Sequence, residues 1–186
     1  MAGSAKRTAG GGARHGGRGG FTLVEVLIAM AIMAIGLVIA IPNLQRWVYR
    51  TNAQGFEREV FSELQAARIM ASSGTARYRL LVDMTNRSVS LQQQSGSAWV
   101  TSSRPPVRTP YGAGIGSVTP SGGGAVSTGQ YAFVFNPSGE VYGQSDTADD
   151  NTISAIDNAV LLLTGANLQD NASITLFGWT GKARMN

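Results

Sequence analysis

The stretch that decides the fold is residues 21–41, which read FTLVEVLIAMAIMAIGLVIAI. Apart from Thr22, Glu25 and Gly36, every residue in it is apolar. A helix rises about 1.5 Å per residue, so this length spans the roughly 30 Å hydrocarbon core of a bilayer. Residue types that suit a membrane interface follow at Arg46, Trp47, Tyr49 and Arg50. We therefore expect a membrane anchor.

Three interpretations of this stretch compete: a removable secretory signal, a signal anchor, and the buried helix of a soluble protein. A secretory signal has an apolar core of about 7 to 15 residues that ends at small residues, and residues 21–41 run on longer. A helix packed on one face keeps a polar stripe, which this stretch lacks. Composition therefore favours the anchor. It does not explain Glu25, whose carboxylate either stays solvated near the headgroups or has a partner.

The basic character of the chain is concentrated ahead of the apolar stretch. The formal net charge is +4, from 15 Lys and Arg against 11 acidic residues. The first twenty residues hold no acid and four of the basic residues, so the rest of the chain is neutral. A basic segment before an apolar one fits the cytoplasmic side of a membrane. The net charge therefore does not support a nucleic-acid partner for residues 21–186.

Gly19-Gly20 comes directly before Phe21-Thr22-Leu23-Val24-Glu25 at the start of the apolar stretch. This motif is similar to the class III signal of type IV pilins and type II secretion pseudopilins. The resemblance implies that a prepilin peptidase cuts between Gly20 and Phe21 and that the new N-terminal Phe21 is methylated. Residues 1–20 would then be a removed leader. At twenty residues this leader is longer than the leaders of many major pilins.

The same resemblance implies a partner for Glu25. In assembled pili this carboxylate is thought to pair with the N-terminal amine of a neighbouring subunit, which would be that of Phe21. Oppositely charged groups attract strongly in a low-dielectric filament core, so the pairing is physically reasonable. Gly36 and Pro42 lie where pilins commonly have helix-loosening residues, and both residue types weaken helical hydrogen bonding.

The rest of the chain predicts an amphipathic helix over residues 43–72 and a β-rich domain over residues 73–186. Apolar residues recur at intervals of three or four from Leu44 to Ala67. The charged residues between them, Glu63 included, are expected to face solvent. The sequence Ser72-Ser73-Gly74 ends the helix. Strands are expected at residues 78–84, 88–93, 98–101, 131–135, 140–142, 159–163 and 173–179, and residues 104–130 are expected to form a long loop with at most one short strand near 115–118.

Three further motifs are ELQAAR at residues 63–68, FVFNPSG at 133–139 and TGKAR at 180–184. Together they resemble the GspH/FimT family of minor pseudopilins and minor pilins. The resemblance implies an α+β type IV pilin fold, in which a long N-terminal helix packs on an antiparallel β-sheet domain. Residues 21–42 would be the transmembrane helix and assembly segment. The implied location is the bacterial inner membrane, crossed once, with the C-terminal domain in the periplasm.

Two functions follow from this resemblance. The first is structural: a minor subunit that helps to initiate or cap a type II secretion pseudopilus or a type IV pilus, with other pilins or pseudopilins as partners. The second is DNA binding in natural transformation, as in FimT-type members, through a basic tail that includes Lys182 and Arg184. Useful nonspecific DNA binders make about 6 to 10 phosphate contacts, so two tail charges favour the structural function unless Arg104 and Arg108 join them.

An enzyme is not expected. Cysteine is absent and the one histidine, His15, lies in the predicted leader. We expect no cofactor and no metal site. The acidic loop Asp146–Asn151 contains oxygen ligands that calcium would accept. A solvated turn is the interpretation we prefer for it.

Overall fold

The architecture comes from a computed structural model that describes residues 20–145, 147–149 and 152–186. Helix α1 runs without interruption over Leu23–Ser73, a length of 51 residues. It ends at the Ser72-Ser73-Gly74 sequence, as predicted. The chain divides into two compact units at Pro42: residues up to Ile41, which we call unit 1, and Pro42–Asn186, which we call unit 2.

Unit 2 contains two antiparallel sheets. The first has seven strands, and the order of six of them is β3-β2-β1-β6-β7-β8, with β4 pairing with β2. The second has the order β11-β10-β9-β5. The strands are β1 (Tyr78–Asp83), β2 (Ser88–Ser95), β3 (Ala98–Thr101), β4 (Val107–Arg108), β5 (Ala113–Pro120), β6 (Gln130–Phe135), β7 (Val141–Gln144), β8 (Ile153–Ala155), β9 (Asn158–Gly165), β10 (Ala172–Phe177) and β11 (Ala183–Met185).

One apolar core joins the second half of α1 to both sheets. Phe56, Val60 and Leu64 are at most 2% exposed and lie in one cluster with Leu80 of β1 and Leu161 of β9. They recur at intervals of four, so they form one stripe of the helix. The predicted α+β arrangement of a helix on antiparallel β-structure is therefore confirmed. The buried face of the helix begins later in the chain than predicted, because Leu44, Trp47 and Val48 are exposed.

The expectation of a long loop at residues 104–130, with at most one short strand near 115–118, is wrong. This segment contains β4 and the full eight-residue strand β5, which pairs with β9. The glycines that suggested a loop allow close contact between these strands. A Cβ at Gly114 would lie 2.6 Å from Thr164 Oγ1, and one at Gly116 would lie 3.0 Å from Thr164 Cγ2. Glycine here permits close approach of a neighbouring strand.

The expectation that Glu63 faces solvent is also wrong. Its side chain is buried and accepts three hydrogen bonds of 2.6 to 3.0 Å from the Arg104 guanidinium. The Glu63 carboxylate raises the pKa of Arg104. A buried carboxylate needs such a partner. The ion pair thus fixes the segment before β4 against α1.

Candidate functional site

The first candidate site is the start of α1. The Glu25 backbone N–H donates to Thr22 Oγ1 at 3.2 Å, and the Val26 N–H donates to the Thr22 carbonyl oxygen at 3.2 Å. Thr22 therefore caps the helix, and Glu25 occupies its third position. A Thr-x-x-Glu sequence at this place is the signature of a capping box, and an acidic residue in the first turn is favoured by the helix dipole.

Our sequence reasoning missed this cap, in which the donor is the Glu25 backbone N–H, although the Thr22-to-Glu25 spacing signals it. Glu25 is exposed, like its apolar neighbours. Gly20 and Phe21, the predicted cleavage pair, lie just before the helix and are also exposed. The rest of the predicted leader, residues 1–19, is outside the described residues.

The apolar part of α1 leaves its side chains uncovered. Phe21 is 81% exposed and Ile32 is 65% exposed, and none of the helix's most apolar window is buried. The helix is long and apolar enough to cross a membrane, with a mean hydropathy of 2.8 over that window. Gly36 and Pro42 lie within α1, and the helix continues through both of them. Their helix-loosening role therefore stays a prediction.

The second candidate site is the C-terminal hairpin, where the predicted basic tail is folded. Arg184 belongs to β11 and lies opposite Thr175 of β10. Lys182 lies in the turn before it, and its carbonyl oxygen accepts from the Phe177 N–H at 2.9 Å. Gly181 makes this turn possible with a φ of +60°, a conformation that suits glycine. Both basic side chains are exposed on a fixed hairpin.

The hairpin brings one further cation to Lys182. Both Lys182 and Arg68 of α1 line a groove of about 370 Å³, together with Gln65 and Ile69. Arg104 and Arg108, which the sequence analysis named as possible further phosphate contacts, do not line this groove. Arg104 is paired with Glu63, and Arg108 lines a different cavity, with Arg87.

The acidic loop Asp146–Asn151 lies only partly within the described residues. Of its acidic residues, Asp146 and Asp150 lie outside the described residues, and so does Asn151. In the part of the chain that the structure describes, no group of three or more His, Cys, Asp or Glu side chains is arranged to hold a metal ion. The expectation that the chain holds no metal stays a prediction.

Comparisons with known proteins agree with both the sequence motif and the fold. The model of the prokaryotic N-terminal methylation motif matches residues 16–41. The structure is similar to that of the minor pseudopilin EpsH from the Type 2 Secretion System of Vibrio cholerae, with a TM-score of 0.52. That match covers 72% of this chain and 94% of EpsH at 11% sequence identity. A search of curated proteins found no match.

These observations agree on one kind of protein. A long apolar helix that carries the methylation motif and continues into an antiparallel β-domain is similar to the arrangement of type IV pilin-like proteins. Its fold is that of a minor pseudopilin. The predicted resemblance to this group is therefore confirmed.

Proposed function

We propose that this chain is a minor structural subunit that helps to initiate or cap a type II secretion pseudopilus or a type IV pilus. The observation that carries the proposal is a methylation motif at the head of a helix whose apolar side chains are uncovered. Such a helix needs a lipid or protein partner, because large exposed apolar surfaces mark interaction sites. A bilayer before assembly and neighbouring helices afterwards supply that partner. The similarity to EpsH supports the pseudopilus.

In this proposal a prepilin peptidase cuts after Gly20, and the amine of Phe21 is methylated. The subunit is then anchored once in the inner membrane, with unit 2 in the periplasm. During assembly the Glu25 carboxylate pairs with the Phe21 amine of another subunit. An ammonium and a carboxylate stabilise each other in a water-poor filament core, where either one alone would be costly.

Mass spectrometry of the mature protein tests the processing step. The expected N-terminus is a methylated Phe21. The variant Gly20→Val should keep its leader, because a branched side chain replaces the glycine at the cut. A Cβ at Gly20 meets no atom within 4 Å, so the substitution should not disturb folding. The neighbouring Gly19→Ala variant is the control. An uncut wild-type chain found in filaments would contradict the proposal.

DNA binding is the second candidate function, and one observation favours it. Arg68 lines the same groove as Lys182, so at least two cations lie together and Arg184 follows on the adjoining strand. Three phosphate contacts would give a salt-dependence slope of about −2.7 for duplex DNA. This is weak binding, so the structural function stays our first proposal.

A gel-shift titration at several salt concentrations tests DNA binding. The double variant Lys182→Ala, Arg184→Ala should reduce the magnitude of the slope by about 2, and the Arg68→Ala variant by about 1. Arg58→Ala, at an exposed arginine on the same helix, is the matched control and should have no effect. A wild-type protein that produces no salt-sensitive shift would exclude this function.

A further inference from the structure

One end of unit 2 is formed by loops that contact the first turns of its helix. The Tyr111 ring lies against the Tyr49 ring with centroids 5.3 Å apart, and Asn52 Nδ2 donates to the Tyr111 carbonyl oxygen at 3.1 Å. Arg50 Nε lies 4.0 Å from Asp170 Oδ1, in the turn between β9 and β10. The loop before β5 and the turn after β9 therefore both meet helix residues 49–52.

A third loop adds positive charge at the same end. The β1–β2 turn presents Arg87, whose guanidinium donates to the Ala113 carbonyl oxygen at the start of β5. Arg87 and Arg108 line one cavity of about 540 Å³ together with Tyr111. Among the described residues, neither arginine forms an ion pair with a carboxylate. Both side chains are exposed, so their charges are available to a ligand.

Large apolar side chains are also uncovered in the segments that meet at this end of unit 2. Leu168 is 88% exposed, Tyr111 is 79% exposed and Trp47 is 64% exposed. They come from three separate segments, and each lies within two residues of a contact that joins the loops to α1. An exposed apolar residue is ordinary when it stands alone. A surface that combines aromatic, aliphatic and arginine side chains is typical of a bilayer interface.

We propose that this end of unit 2 is a docking surface for anionic phospholipid headgroups. Tyr111, Leu168 and Trp47 would enter the interface, and the cavity between Arg87 and Arg108 would receive phosphate. The inference rests on the membrane-anchored subunit proposed above.

Two observations select a bilayer as the occupant. The first is continuity, because Trp47 follows the apolar segment by only six residues and so belongs to the first part of unit 2 beyond it. The second is charge. Asp170 offsets Arg50, but Arg46, Arg87 and Arg108 add positive charge that an anionic surface attracts. Docking would hold the subunit against the membrane until assembly removes it.

Site-directed fluorescence on the full mature chain tests this proposal. The chain has no cysteine, so Leu168→Cys and Ala125→Cys each carry one thiol for an environment-sensitive fluorophore. Ala125 is an exposed control: it adjoins Val126, which pairs with Val118 near the far end of β5 from Ala113. Each variant is reconstituted into vesicles of phosphatidylcholine with or without phosphatidylglycerol. A lipid-borne quencher should quench the probe at position 168 at least threefold more than the probe at position 125, and only in the anionic vesicles.

A second experiment removes the charges of the two arginines. Arg87→Gln with Arg108→Gln should lower the ratio of lipid-buried to aqueous probe at position 168, roughly fivefold for each arginine removed. Equal quenching at both positions, or quenching that persists unchanged in neutral vesicles, would overturn the docking surface. Extraction at alkaline pH reports separately on the anchor. A chain that is extracted would contradict the proposed function as well, whereas an inserted chain with an aqueous probe at position 168 contradicts the docking surface alone.

Discussion

The two halves of α1 share one backbone conformation and have opposite surroundings. In the first half Leu27 is 57% exposed and Ile35 is 65% exposed, while in the second half Val60 and Ala67 are fully buried. A helix satisfies its own backbone hydrogen bonds, so it is equally suited to lipid and to a protein core. The side chains decide between them. The first half is apolar on all sides and needs partners outside the chain, whereas the second half completes a core within it.

Substitutions in the two halves of α1 should therefore have different effects. Substitutions in the second half should change the free energy of unfolding of unit 2. Substitutions in the first half should leave that energy unchanged and should act on insertion or assembly. Matched pairs of variants, one in each half, test this separation directly.

The largest difference in the free energy of unfolding is expected for leucine substitutions. Leu64 is 1% exposed, and Leu64→Ala should lower the free energy of unfolding of unit 2 by about 3 kcal/mol, because it removes buried methyl groups and leaves a cavity. Leu37 is 58% exposed, and Leu37→Ala should change it by less than about 0.5 kcal/mol. Urea unfolding of the mature chain in detergent, followed by tryptophan fluorescence, measures both. Equal losses would show that the halves are not energetically separate.

Glu25 and Glu63, one glutamate from each half of α1, should give a smaller difference in the free energy of unfolding. Glu63→Gln should destabilise unit 2 by roughly 1 to 2 kcal/mol, since it replaces a charged partner of Arg104 by a neutral one. Glu25→Gln should leave that stability unchanged and reduce the amount of subunit that copurifies with filaments, because the amine of the neighbouring Phe21 loses its counter-charge.

Glu59→Gln, at an exposed glutamate of the same helix, is the control for both readouts. Undiminished incorporation of Glu25→Gln into filaments would contradict the proposed pairing. An unfolding midpoint of Glu63→Gln equal to that of the control would show that the ion pair contributes nothing measurable.

The sequence predicted the parts of this fold whose signals are local. The all-apolar run at residues 21–41 and the three-to-four spacing from Leu44 to Ala67 each carry their own physical cause. They yielded the helix and its buried stripe, although that stripe begins only at Ala53. The Thr22 cap is an exception: it was missed although its signal is equally local, since Glu25 is only three residues away.

The failures concern contacts between residues distant in sequence. Strand β5 was predicted as at most a short strand near 115–118, because Gly114 and Gly116 indicate a loop until Thr164 of β9 is placed beside them. Glu63 was expected in solvent because its partner Arg104 is 41 residues away. For the same reason nothing in the sequence indicated that Lys182 would lie in a groove with Arg68.

The smallest difference in stability is expected for two glycine substitutions, one in each half of α1. A Cβ at Gly36 or at Gly55 meets no atom within 4 Å, so alanine fits at both positions. Gly55→Ala should stabilise unit 2 by about 0.5 to 1 kcal/mol, because alanine loses less conformational freedom in a helix than glycine does. Gly36→Ala should leave the unfolding midpoint unchanged and slow hydrogen exchange of the amides near position 36, since it removes the proposed loose point. Should Gly36→Ala raise the midpoint as much as Gly55→Ala does, the two halves unfold together, and the helix couples the membrane anchor to the stability of the domain.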